Sequence, residues 1–197
     1  MLKRIFDILS SLFGLVVFSP LLIGAALFIL IDDGRPIFFR QERVGKDRKT
    51  FRIFKFRSMR NRPHGNDSAI TTGEDNRITQ SGRFLRKTKL DELPQLVNVL
   101  FGQMSMVGPR PEVPHLFAQY PPDLQEVMAG LRPGITDFAS LEYIDESSLI
   151  ANSDDPERAY LEQVLPEKAV YIRKYADQQG FFTDLSLILR TIGKIFN

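Results

Sequence analysis

Residues Ile8 to Ile31, ILSSLFGLVVFSPLLIGAALFILI, run for 24 positions without a charged side chain. As one straight helix the run is about 36 Å long, enough to cross a hydrocarbon core of about 30 Å. A secretory signal peptide fits poorly, because the run is long and no small-residue cleavage site precedes Asp32. Three readings stay open: a spanning helix, a buried core helix, and a helix that enters and leaves a membrane by one face. Pro20, preceded by Ser19, lies mid-run. Proline lacks the backbone N–H and clashes with the preceding turn, so the helix bends or breaks there. Each half is then about 18 Å, too short to cross and long enough to dip. Lys3 and Arg4 precede the run, and Arg35 with a basic segment follows it. Positive charge at both ends favours both ends in the cytoplasm, which re-entry satisfies and a straight span does not. Proline is tolerated in spanning helices, so the residues alone leave the choice open.

Working outward, Gly34-Arg35-Pro36 reads as a turn, and Pro36 to Phe39 with Thr50 to Phe56 as the strands of a small hairpin. Phe51, Ile53, Lys55 and Arg57 share one strand face; Arg52, Phe54 and Phe56 share the other. Lys55 and Arg57 therefore project together and can reach one anion, the alternative being a solvated face. Asn61 to Gly82 is polar and lacks periodicity, which reads equally as a lid-like loop or as disorder.

Gly82 to Glu112, GRFLRKTKLDELPQLVNVLFGQMSMVGPRPE, carries the chemistry. Asp91 and Glu92 are adjacent, with Arg83, Arg86, Lys87 and Lys89 before them and Arg110, between Pro109 and Pro111, after them. Acids inside a basic surround point to a site that handles an anion and reacts with it. The plain alternative is a helix cap, because Pro94 suits a first helical turn and acids there oppose the helix dipole.

The length of 197 residues suits one domain with a real core. Net charge is +2 and unevenly spread: ten Lys or Arg against two acids between Arg40 and Arg62, ten acids against two bases between Glu112 and Arg158. Such asymmetry points to a basic face towards phosphates or an anionic membrane. With no cysteine there is neither a disulfide scaffold nor thiol catalysis. His64 and His115 lie far apart, which disfavours a histidine metal site. Leu93 to Met104 reads as a short helix and Glu112 to Met128 as helices interrupted at Pro121-Pro122. Glu157 to Gln179 reads as a polar helix broken at Pro166. Leu185 to Phe196 is amphipathic, with Leu187, Ile188, Ile192 and Ile195 opposite Arg190 and Lys194, a pattern of core packing that also permits interfacial docking. No repeat, phosphate-binding P-loop, Rossmann glycine fingerprint or zinc spacing occurs.

LDELPQLVNVLFGQMSMVGPRPE (Leu90 to Glu112) closely resembles the signature of the bacterial sugar transferase family, the polyprenyl-phosphate phosphoglycosyl transferases, here of the small monotopic kind. The likeness continues in FRIFKFRSM (Phe51 to Met59), in DNRITQSGRFLR (Asp75 to Arg86), in Ser19-Pro20 and in LRPGIT (Leu131 to Thr136). It covers roughly residues 1–136 and weakens at Asp137-Phe138-Ala139-Ser140 and the acidic stretch beyond. That departure bears on the sugar rather than on the type of reaction.

The resemblance implies a helix-rich α+β fold. Residues 1–35 would form a re-entrant membrane helix broken at Ser19-Pro20, and residues 36–197 a catalytic domain with interfacial helices on the cytoplasmic face of the bacterial inner membrane. It implies transfer of sugar-1-phosphate from a UDP-sugar to polyprenyl phosphate with release of UMP, the first membrane step of a surface polysaccharide or glycoprotein glycan. Asp91 would be the nucleophile, forming an aspartyl sugar-phosphate, and Glu92 would position acceptor or metal. Mg²⁺ is the implied cofactor, with Asp91 and Glu92 its protein ligands. Lys55, Arg57, Arg86 and Arg110 would cradle phosphates, with Arg83 a further candidate. The implied partners are the UDP-sugar, polyprenyl phosphate and inner-membrane lipid, without nucleic acid; oligomeric state stays open, a homodimer included. Two alternatives belong to other classes. One is a membrane-tethered nucleic-acid-binding module using the Arg40 to Arg62 patch and Phe51, Phe54 and Phe56 for stacking. The other is a membrane scaffold without chemistry.

Overall fold

The computed structural model describes residues 2–60, 76–142 and 155–196. The charge-free run is two helices, α1 (Leu2–Val17) and α2 (Ser19–Asp33), bent by 60° at Phe18. Pro20 falls in the first turn of α2, where its missing N–H costs nothing. Ser19 Oγ donates to the Val16 carbonyl at 2.7 Å and satisfies one group that the break frees. Among the described residues no single helix is long and apolar enough to cross a membrane; the bent pair has that length and composition only when taken together.

α1 is amphipathic in the reverse of the usual sense. Asp7 and Ser11 are 1% and 0% exposed, while Leu9 and Phe13 are 62% and 70% exposed. Asp7 Oδ1 accepts from Ser105 Oγ and from the Met106 N–H, both at 2.9 Å. Lys3 and Arg4, read above as flanking charges, lie inside the helix and turn into the domain. Lys3 Nζ reaches the Val107 carbonyl, the Tyr175 hydroxyl and the Asp184 carboxylate. Arg4 donates to the carbonyls of Val99 and Leu100 at 2.6 and 2.8 Å. The polar groups of α1 are thus consumed by protein, and its apolar side chains are left outside.

The hairpin pairs β1 (Phe38–Val44) antiparallel with β2 (Thr50–Phe56) in a register that sets Phe39 opposite Lys55 and Arg43 opposite Phe51. β1 is longer than the apolar alternation of Pro36 to Phe39 indicates, because its outer half, RQERV, is written in charged residues. Helix α3 (Gln80–Lys87) starts at Thr79, whose Oγ1 accepts from the Gly82 N–H at 2.9 Å. Ser58 and Arg60 pair across to Thr79 and Arg77. The remainder of the polar segment, residues 61–75, lies outside the described residues, as does the acidic stretch at 143–154.

Helix α4 (Gln95–Leu100) is shorter than the apolar spacing predicts, since the chain turns at Gly102, whose φ is +79°. A second sheet, unanticipated from sequence, pairs β3 (Ser105–Val107) parallel with β4 (Gly134–Thr136). A Cβ at Gly134 would stand 2.1 Å from the Gly108 nitrogen, so this crossing requires glycine. Between these strands lie α5 (Pro114–Phe117) and α6 (Pro122–Gly130), separated at Pro121-Pro122 as predicted. After α7 (Phe138–Glu142) come α8 (Pro156–Ala159), a π-helical turn over Tyr160–Val164, α9 (Leu165–Gln178) and α10 (Phe181–Phe196). Pro166 sits in the first turn of α9, and in place of the expected break the backbone stays helical, passing through the π-helical turn directly into α9.

Ala25, Ile29, Phe56 and Leu85 join α2 to β2 and α3. Phe51, Ile53, Val99 and Met104 pack β2 on α4. Leu187 of α10 is buried with Val107 and Tyr175, whereas Leu189 and Ile192 stay exposed; the side chain of Ile195 lies outside the described residues.

Candidate active site

Lys89, at φ +56°, ends α3 in the left-handed region and throws the chain into a 3₁₀ turn over Leu90–Glu92. The turn presents Asp91 and Glu92 differently. Neither carboxylate caps α4, whose N-cap position is Pro94 with no side-chain bond. Glu92 Oε1 accepts from Lys55 Nζ at 2.8 Å and from Arg110 Nη2 at 3.0 Å. Asp91 is 8% exposed, and its Oδ1 is buried with no hydrogen-bond partner. The helix-cap alternative therefore does not describe this pair.

Burial disfavours the charge on both acids, and their neighbours then drive them apart. For Glu92, Arg110 and Lys55 more than offset burial and hold the carboxyl far below the usual carboxylate range. For Asp91, burial is joined by the Glu92 charge, and the carboxyl is pushed up despite Lys55, Arg86 and Arg110. Burial pulls the Lys55 ammonium down, against the attraction of Glu92.

The tertiary fold sorts the predicted cations. Lys55 and Arg110 meet at Glu92 from opposite sides in sequence. Arg86, half-buried on α3, acts electrostatically on Asp91, and Arg83 on the same helix is exposed. A Cβ at Gly82 would meet the Ser58 carbonyl oxygen at 2.0 Å, so glycine lets α3 lie against the chain that follows β2. Arg57 is not brought to the acids. β2 ends at Phe56, and the buried Arg57 guanidinium donates to the carbonyls of Asp33, Gly34 and Arg35 at 2.8 to 3.0 Å and pairs with the Asp33 carboxylate at 2.9 Å. The shared face read for Lys55 and Arg57 ends with the strand.

Two residues of the cleft were not singled out from sequence. Arg43 and Gln95 line it together with Lys55 and Arg110. Arg43 Nη1 donates to the Pro111 carbonyl at 3.1 Å and Nη2 to Gln41 Oε1 at 2.6 Å, which ties β1 to the segment that carries Arg110. The signal that finds it is two-residue alternation: Phe39, Gln41 and Arg43 share the hairpin face that bears Lys55. Asn98, fully buried, fastens α4 to β2 by accepting from the Phe54 N–H at 2.8 Å and donating to the Arg52 carbonyl at 2.9 Å. Glu112 is buried and accepts from the Tyr160 hydroxyl at 2.8 Å.

The stacking surface of the nucleic-acid alternative is not formed, because Phe51 and Phe56 are buried and the Arg40 guanidinium covers Phe54 at 4.0 Å. Among the described residues no three metal-ligating side chains converge on one point. Asp91 Oδ1 remains, beside Glu92, as a buried acceptor without a donor, flanked by cations. Such a group can take a metal ion or attack an electrophilic phosphorus.

The family model described as bacterial sugar transferase matches residues 1–197. A UDP-N-acetylgalactosamine-undecaprenyl-phosphate N-acetylgalactosaminephosphotransferase of Aeromonas hydrophila is 37% identical over 156 residues, 78% of this chain and 36% of that protein. A UDP-glucose:undecaprenyl-phosphate glucose-1-phosphate transferase of Klebsiella pneumoniae is 37% identical over 196 residues, 98% of this chain and 40% of that protein. The exopolysaccharide production protein PSS of Rhizobium leguminosarum bv. phaseoli is 44% identical over 147 residues, 71% of this chain and 73% of that protein. The chain thus spans 36% to 40% of the length of the first two relatives and most of the third. With the match running from end to end, the chain belongs to the bacterial sugar transferase family.

Proposed function

We propose that this chain transfers a sugar-1-phosphate from a UDP-sugar to polyprenyl phosphate, releasing UMP, as the first membrane step of a surface polysaccharide or glycoprotein glycan. The observation that carries the reading is Asp91 Oδ1, buried and without a hydrogen-bond partner, among cations. An Asp91 oxygen attacks the phosphorus that bears the sugar. The bond from that phosphorus to the bridging oxygen breaks, and UMP leaves with its electron pair. An oxygen of polyprenyl phosphate then attacks the same phosphorus and returns the Asp91 carboxylate. Because burial raises the Asp91 pKa, its charge is poorly satisfied in the resting site, which favours attack.

Lys55, Arg110 and Arg86 are the cations placed to hold the diphosphate, with Arg83 outside them. Glu92 keeps Lys55 and Arg110 poised until a phosphate competes for them. Arg57 fixes the end of β2 to α2 and through it the height of Lys55 above the acids. Asp91 and Glu92 are the residues that would hold Mg²⁺, which would supply neutralisation of the diphosphate.

The membrane placement rests on α1 and α2. Their outward apolar side chains, from Leu9 and Phe13 to Leu27 and Ile31, have no covering element among the described residues. A re-entrant pair bent at Phe18, with both ends on the cytoplasmic face, buries them in lipid and brings a water-insoluble acceptor to Asp91. The test is UMP release from UDP-glucose and UDP-N-acetylgalactosamine with undecaprenyl phosphate and Mg²⁺. Asp91→Asn is expected to abolish it; a wild-type rate in Asp91→Asn would remove Asp91 as the nucleophile, and no release from the wild type with any UDP-sugar would leave the scaffold alternative standing.

A further inference from the structure

We propose that Glu112, locked in a buried network with Tyr160, Lys168 and Tyr120, is a positioning residue for Arg110, and that it acts by keeping Arg43 away from Glu92. The proposal rests on the transferase reading above, since it gives that reading's phosphate-holding cation its support. Glu112 and Lys168 are both buried, and the Tyr160 hydroxyl stands between them. That hydroxyl donates to Glu112 Oε1 at 2.8 Å and accepts from Lys168 Nζ at 3.0 Å. A phenol has one proton, and Glu112 takes it, so the Tyr120 hydroxyl, 3.1 Å away, donates to Tyr160. These donors all point towards the Glu112 carboxylate. Tyr160 opens the π-helical turn ahead of α9, a rare winding that is frequent at functional sites. Apolar residues of similar volume would hold the same junction without burying charge, whereas an ionic set fixes one arrangement of it.

What the network fixes is the segment that carries Arg110. Only Pro111 separates Arg110 from Glu112, and its ring locks φ, so the two Cα atoms lie at most about 7 Å apart. On either side the backbone is tied down by backbone: the Pro109 carbonyl accepts from the Gly134 N–H at 3.0 Å, and the Glu112 carbonyl from the Val44 N–H at 2.8 Å. The Pro111 carbonyl is held instead by a side chain, Arg43 Nη1. Arg43 is the movable part, because its Nε is buried with no hydrogen-bond partner. Burial disfavours its charge, and two carboxylates counter that, Glu112 more strongly than Glu92. Without the Glu112 charge, Glu92 is the acid left to Arg43. Arg43 would then release the Pro111 carbonyl and compete with Arg110 for Glu92, which holds Arg110 at 3.0 Å. Glu112 thus keeps Glu92 for Lys55 and Arg110 alone.

The experiment treats the full chain in nanodiscs with phenylglyoxal, which modifies accessible guanidinium groups, and follows each arginine by mass spectrometry. Glu112→Gln removes the charge and keeps the shape; Tyr160→Phe keeps the charge and removes its donor. Arg110 is expected to react at least fivefold faster in Glu112→Gln and at least twofold faster in Tyr160→Phe. The exposed Arg83 should keep its rate and the buried Arg57 should stay protected, which separates a local release from a loosened fold. Adding Arg43→Met to Glu112→Gln removes the competitor, and Arg110 should return to within twofold of its wild-type rate. In turnover assays kcat/KM for the UDP-sugar should fall at least tenfold in Glu112→Gln. An unchanged Arg110 rate, a matching rise at Arg57, no recovery with Arg43→Met, or wild-type kcat/KM overturns the proposal. If Glu112→Gln does not fold, the Arg110 and Arg57 rates in Tyr160→Phe decide. Wild type that releases no UMP from any UDP-sugar overturns the transferase reading instead, and the modification rates still judge what Glu112 does to Arg110.

Discussion

Asp91 and Glu92 share a peptide bond and not an environment. Glu92 Oε1 is held by Lys55 at 2.8 Å and Arg110 at 3.0 Å, whereas Asp91 Oδ1 is buried with no partner. Adjacent residues on a 3₁₀ turn point about 120° apart, so one carboxylate reaches the cations and its neighbour does not. The division of labour follows from that angle: Glu92 organises charge, and Asp91 is left reactive.

Asp91→Asn is expected to abolish transfer and to stabilise the fold. A buried carboxylate without a partner costs the folded chain free energy that a neutral amide reduces. A gain of about 1 kcal/mol raises the melting temperature by roughly 2–4 °C in a domain of this size. Thermal unfolding of both proteins checks it; a lower Tm for the variant means that Asp91 has a structural partner.

The pH response of Asp91 has a defined sign. Its pKa is raised by burial and then by Glu92, and the ionised form reacts. UMP release should therefore fall as pH drops through a value above the ordinary ~3.9. Stability from this group runs the other way: it is present below ~3.9 and lost as pH rises through the raised folded pKa. Glu92, held low by Arg110 and Lys55 against its burial, contributes stability above ~4.3 that is lost as pH falls through its folded pKa. Lys55→Met removes a charge that opposes the Asp91 shift, so the acid limb of the activity profile should move upward. A limb that stays put excludes Asp91 as the titrating group.

Arg110→Lys is expected to lower kcat/KM at least tenfold, about 1.4 kcal/mol, although the charge is kept. A planar guanidinium can hold Glu92 and a phosphate with separate N–H groups, while an ammonium acts as one point. Steady-state kinetics decide it; activity within twofold of wild type makes Arg110 a turn residue.

Arg57→Ala should weaken the fold by about 3 kcal/mol, because it leaves three carbonyls without their donor and the Asp33 carboxylate with only the exposed Arg60. The KM for the UDP-sugar should change far less. Urea unfolding beside kinetics separates the outcomes: a KM raised tenfold at unchanged stability makes Arg57 a substrate ligand.

Pro20→Ala should favour a straight helix and move the N-terminus across the membrane, since α1 and α2 would then join. The chain has no cysteine, so Leu2→Cys gives a single labelling site. Labelling from the cytoplasmic side alone is expected for Leu2→Cys, and from the far side once Pro20→Ala is added. Far-side labelling with Pro20 intact rules out re-entry.

What the sequence by itself determined is local. Proline chemistry set the break near residue 20, alternation set β2, and adjacency set the acid pair among cations. Each depends on residues a few positions apart, whose geometry the backbone dictates. The sites of long-range contact were decided by the tertiary structure. Lys55 and Arg57 are equal in the strand pattern, yet one meets Glu92 and the other caps α2, because the strand ends between them. Arg43 joins the cleft through a cross-strand register and a carbonyl 68 residues away. The β3–β4 pairing depends on two glycines that let distant backbones touch. The inward polar face of α1 depends on Ser105 and Asp184, nearly a hundred residues and more beyond it in sequence. Periodicity states which face a side chain shares; the element that faces it is set by packing the whole chain at once.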